Sequence, residues 1–113
     1  MRRILALSIA ALAVALPASA GAGAPATAAR VHDVVLKNIA IHPATLRVHA
    51  GDTVRWLFRD RVVSHNVTSQ GAKRFRSSPS RRTGSYSVRF TRRGTYRYHC
   101  TIHPSMQGRI IVG

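Results

Sequence analysis

The sequence predicts an all-β fold: a Greek-key β-sandwich of about seven to eight short strands in a single domain. Three observations point to it. Beyond residue 30, apolar and polar residues alternate with a period of two, in short runs rich in Val, Ile, Thr and aromatic residues. Turn pairs such as Gly51-Asp52 and Arg93-Gly94 interrupt these runs at short intervals. No stretch of this region sustains the 3.6-residue period of an amphipathic helix, and short strands between frequent turns pack best as two facing sheets.

In chain order, strands are expected over residues 31–36, 45–48, 53–59, 65–69, 85–90, 95–100 and 108–112. In the third of these, Val54, Trp56 and Phe58 share one face and belong in the core; Arg55, Leu57 and Arg59 share the other, mostly solvated face. The same alternation places Tyr96, Tyr98 and Cys100 on an inward face, with Arg97 and His99 opposite. Residues 71–84, rich in Arg, Ser, Lys and Pro, read as loop. Trp56, Phe75, Phe90, Tyr96 and Tyr98 are expected to pack the core rather than to relay electrons.

The N-terminal segment stands apart. Arg2 and Arg3 precede an unbroken apolar or small-residue run over residues 4–16, and Ala18-Ser19-Ala20 forms an A-x-A cleavage signal. That order of features is a secretory signal peptide over residues 1–20, and the run is too short for the roughly 20 residues that span a bilayer. Residues 21–29 are Ala, Gly, Pro and Thr and read as a flexible linker, leaving residues 30–113 as the folded domain. The expected mature protein is secreted or periplasmic and carries no membrane span. A domain of this size has a modest core and often depends on a disulfide or a metal. Its one cysteine, Cys100, cannot form an internal disulfide, so a metal is the natural expectation.

The chain carries 18 Lys and Arg against 3 Asp and Glu; without Arg2 and Arg3 the net charge becomes +13. Sixteen of the 18 basic residues are Arg. Such a field attracts anionic partners. No nucleic-acid-binding signature is present, and an exported protein has little occasion to meet nucleic acid.

Chemistry concentrates in the run Tyr98-His99-Cys100-Thr101-Ile102-His103-Pro104-Ser105-Met106. Its C-x2-H-x2-M spacing offers a thiolate, an imidazole and a thioether at the end of one strand and the start of the next loop. Soft sulfur suits Cu(I), imidazole suits both copper oxidation states, and a His2Cys set with a weak axial Met is the blue-copper arrangement. The second imidazole must come from elsewhere in the chain.

This run resembles the ligand loop of the cupredoxins, in particular the amicyanin and plastocyanin branch. The upstream half of that family's pattern is present in Pro43, Leu46, Val48, Gly51-Asp52, Val54 and Trp56, followed by Asp60 and then His65-Asn66-Val67. The similarity extends from about residue 41 to 112. It implies one type 1 copper held by His65, Cys100, His103 and Met106, with Asn66 and Thr101 linking the two ligand loops through hydrogen bonds. One departure is Phe58, where the family often has Asn.

The resemblance implies an electron carrier rather than an enzyme: a protein that shuttles single electrons between redox partners. His103 would be the exit, near the surface and ringed by Ile102, Pro104 and Met106. An acidic redox partner and a monomeric state are expected. A copper oxidase would need a second copper site, and His32, His42, His49 and His99 are too dispersed to build one. A copper-buffering or copper-delivery protein is the alternative, since it could use the same ligands.

Overall fold

Val54, Trp56 and Phe58 are all but fully buried, and the strand that carries them is the centre of the first sheet. In the computed structural model, which describes residues 10–14 and 28–113, this strand is the fourth of eight. The strands are β1 (Val31–Lys37), β2 (Ala40–His42), β3 (Thr45–Val48), β4 (Thr53–Arg59), β5 (Thr68–Gln70), β6 (Thr83–Arg89), β7 (Gly94–His99) and β8 (Gln107–Val112). No helix among the described residues is long and apolar enough to cross a membrane. The expected signal peptide and linker lie largely outside the described residues.

One sheet runs β2-β1-β4-β6 and the other β3-β8-β7-β5. Both are mixed: β1 lies parallel to β4 and β3 parallel to β8, while the remaining pairs are antiparallel. The inward faces meet in one core, with Val34, Leu36, Val54 and Trp56 from the first sheet against Tyr96, Tyr98, Ile110 and Val112 from the second. Trp56 is the hub. Its ring stacks on Phe75 at 5.7 Å between centroids and meets Tyr98 edge-on at 5.4 Å. Gly108, paired across the sheet with Tyr98, has no room for a Cβ because the phenol ring fills that space.

These contacts carry the fold. Burying one aromatic or aliphatic side chain is worth about 1.5–3 kcal/mol. The ion pair between Arg55 and Asp33 (2.8 Å) is exposed and screened by solvent, so it adds little by comparison.

The strands differ from expectation in three places. The short β2 follows a two-residue turn at Asn38-Ile39, both with φ of 55°, which folds β2 back on β1. Ile is poor turn chemistry, so the sequence hides this hairpin. The expected strand over 65–69 is divided: His65 makes a single bridge to Arg81, and β5 begins only at Thr68. β6 starts at Thr83, and Phe58 packs in the core opposite Gly84, whose φ of 92° suits glycine.

Candidate metal centre

Strand alternation turns Cys100 inward after Tyr96 and Tyr98, and its thiol is completely buried. The chain then makes a tight loop that closes on itself. The Met106 N–H donates to the His103 carbonyl (2.9 Å), and the Cys100 N–H donates to the Met106 carbonyl (3.0 Å). This loop presents the half-buried His103 with its Nδ1 at 3.9 Å from the Cys100 Sγ. Met106 is buried at the base of the loop and so is not part of the rim, whereas Ile102 and Pro104, on either side of His103 in the chain, are exposed. Its two main-chain bonds hold Met106 where the loop turns back into the core.

His65, in the segment that leads into β5, reaches the same point. Its main chain exchanges two hydrogen bonds with Arg81, at 2.9 and 2.8 Å, and its side chain is fully buried. Nε2 lies 2.9 Å from the Asp60 carboxylate. Asp60 also accepts from the Val62 N–H (3.1 Å) and the Asn38 N–H (3.2 Å). The His65 bond, with these main-chain donors, lowers its carboxyl to about 2, so it is an anion at neutral pH. An ionised carboxylate only accepts, so Nε2 carries a proton, and the neutral form of the ring presents its lone pair at Nδ1. That Nδ1 is buried and has no hydrogen-bond partner.

Among the described residues, three other buried side-chain polar atoms lack partners: Trp56 Nε1, Tyr98 Oη and His99 Nδ1. His65 Nδ1 differs from them in what surrounds it. Its ring lies 5.1 Å from that of His103, and one ligand atom each from His65, Cys100 and His103 all fall within 4.8 Å of one another. Donors bonded to a common ion at about 2.0–2.3 Å stand roughly 3.5–4 Å apart, so the set fits one small metal ion with little movement. A thiol with two imidazoles is also the donor chemistry of a copper site. Among the described residues no other group of three His, Cys, Asp or Glu converges in this way.

The two ligand-bearing segments are laced together by Asn66 and Thr101. The Asn66 Nδ2 donates to the Thr101 Oγ1 (2.7 Å), and the Thr101 N–H donates back to the Asn66 Oδ1 (3.0 Å). The remaining histidines lie elsewhere: the His32 Nε2 pairs with Asp52 (2.9 Å), and the His49 N–H donates to the same carboxylate (3.0 Å). The sequence did not disclose what Asp60 does. The only signal was a carboxylate five residues ahead of a histidine, in a chain with three acidic residues.

Comparisons with known proteins identify the family. Residues 4–112 match the model of the cupredoxin-like domain. Amicyanin from Paracoccus denitrificans is 35% identical over 96 residues, covering 78% of this chain and 72% of that protein. Amicyanin-alpha from Methylorubrum extorquens is 32% identical, covering 71% of this chain and 70% of its own. Among solved structures, a Cu(I) amicyanin variant has a TM-score of 0.65 at 34% identity, covering 75% of this chain and 82% of its own. A purple cupredoxin from Nitrosopumilus maritimus also has a TM-score of 0.65, at 26% identity, covering 72% of this chain and 98% of its own. With a buried thiol and two imidazoles converging at one end of a two-sheet sandwich, this chain belongs to the cupredoxin-like family and is amicyanin-like.

Proposed function

We propose that this protein is an exported, monomeric carrier of single electrons that uses one type 1 copper. His65, Cys100, His103 and Met106 would hold it, the thiolate and two imidazoles strongly and the thioether weakly. The observation that carries the reading is the buried His65 Nδ1, stripped of any hydrogen bond and aimed at the same point as the Cys100 thiol and the His103 ring. A bare imidazole nitrogen at that depth costs free energy unless something accepts its lone pair. Copper bound there supplies one-electron exchange between Cu(I) and Cu(II).

The protein's own part is to hold still. Asp60 fixes the His65 tautomer and ring angle, the Asn66–Thr101 bonds fix the spacing of the two loops, and the sheets exclude water. His65 and Cys100 are fully buried, so no substrate reaches them directly, which favours a carrier over a catalyst. His103 is the contact with the outside, beside Ile102, which is 46% exposed. A small apolar rim suits the brief docking of redox proteins, and the positive field favours an acidic partner. Residues 1–20 would direct export, with 21–29 as a linker to the folded domain 30–113.

The test is the visible absorption spectrum of the protein on addition of Cu(II), beside a Cys100→Ser variant. An intense blue band, bleached by reductant and missing in the variant, is expected from the thiolate–copper bond. A folded protein without that band would overturn the carrier reading. Rapid loss of copper to a chelator would instead favour delivery.

A further inference from the structure

The arginines have no carboxylates left to pair with. Asp33 is taken by Arg55, Asp52 by His32 and main-chain N–H groups, and Asp60 by His65. Yet 16 Lys and Arg residues lie between 30 and 113. Several of them line one feature. β6 is an edge strand of its sheet, and the segment 74–79 runs beside it, with the Tyr86 hydroxyl donating to the Arg76 carbonyl. Between them lie two cavities of about 370 and 400 Å³. Arg74, Arg76, Arg89 and Arg92 line the first, over Phe75 and Tyr96. Arg76 and Arg81 line the second, over Tyr86 and Val88. Arg76 and Val88 belong to both, so the two form one groove. Its Arg81 end is bonded through the main chain to His65, which ties it to the metal centre.

We propose that this groove binds an extended, carboxylate-rich segment of a partner protein. The identification of that protein as the redox partner rests on the carrier reading; the binding itself does not. Guanidinium groups on both rims match carboxylates, which they can grip with paired hydrogen bonds. The floor decides between kinds of anion. Phe75, Tyr86 and Val88 are only partly buried, and a phosphate polymer has nothing to place on them. A peptide whose acidic and apolar residues alternate uses both the rims and the floor. A diffuse positive field would raise association rates without regard to which arginines remain, whereas a groove slows dissociation through particular ones.

The test measures dissociation of fluorescent probes from the purified full chain: a peptide alternating Glu and Leu, one alternating Glu and Ser, and inorganic polyphosphate. The variants are Arg76→Gln with Arg92→Gln, and, on the other sheet, Arg47→Gln with Arg97→Gln. None of these four side chains makes a hydrogen bond or ion pair to another of the described residues, so folding is spared. The Glu–Leu peptide is expected to bind most tightly. The groove variant should weaken it about tenfold or more, and the control should change it little. Equal loss in both variants, or polyphosphate binding as well as the Glu–Leu peptide, would overturn the groove and leave only a diffuse field. A blue band without groove binding leaves the carrier reading intact; groove binding without a blue band defeats the carrier reading alone.

Discussion

Asp60 backs His65, one of the proposed copper ligands. Its carboxylate accepts a hydrogen bond from the His65 Nε2–H (2.9 Å) and is itself held by the main-chain N–H groups of Asn38 and Val62, so the imidazole is fixed in orientation. Carboxylates placed this way behind a ligating histidine raise its basicity and fix its angle. Asp60→Ala is expected to cost about 10–100-fold in copper affinity, measured by competition with a chelator. Asp60→Asn should recover part of that loss, because its Oδ1 still accepts the Nε2 proton while the charge is gone. Equal affinity in all three proteins would mean that packing alone sets the ring. Tyr98 shows the opposite economy. Its hydroxyl is buried without a partner and its pKa is pushed up to about 12, chiefly by burial. Its ring packs in the core, meeting Trp56 edge-on at 5.4 Å between centroids.

Among elements, the decisive join is between the segment ahead of β5 and the loop after β7. Asn66 and Thr101 exchange two hydrogen bonds across a sequence separation of 35, and Ser80 accepts a third from Asn66 at 3.1 Å. A double-mutant cycle with Asn66→Ala and Thr101→Val, followed by urea unfolding, should show a coupling of about 0.5–3 kcal/mol. A value near zero would mean that each loop is held by its own sheet. Much of this architecture was legible in the residues. The alternation of Val54, Trp56 and Phe58 identified β4 and its buried face, and the spacing of Cys100, His103 and Met106 marked the loop. Features made by non-local contact were not legible. β2 depends on a hairpin whose turn uses Ile39 against its steric preference. His65 stands in a lone bridge to Arg81 rather than in a strand, because its partner comes from residues that read as loop. Met106 was expected on the rim, yet the loop's return bonds draw it inward. The arginine groove exists only because residues 74–79 lie beside β6.

For the whole molecule, acid stability follows from so few carboxylates, all of them engaged. Asp52 accepts from the Arg30 N–H, the His32 Nε2 and the His49 N–H, and these bonds, the Arg30 one first, hold its carboxyl well below the usual range. A carboxyl with a lowered folded-state pKa adds stability above its unfolded value of about 3.9 and surrenders it as the pH falls further. The protein should therefore lose thermal stability below about pH 4. Asp52→Asn is expected to lower Tm at neutral pH but by much less near pH 2, flattening the acid limb. A mutant curve parallel to the wild type across that range would show that the carboxylate contributes nothing through its charge. Asp33 and Asp60, both lowered, account for the slope that remains.

His65 also ties the two halves of the sandwich together. Its main chain is bonded to Arg81, which leads into β6 of one sheet, while its neighbour Asn66 is bonded to Thr101, which follows β7 of the other. A fluctuation that parts the sheets at this end separates the donor atoms as it does so. With copper in place, the colour of the protein becomes a built-in gauge of its own closure, fading when the sheets part even if every strand is still intact.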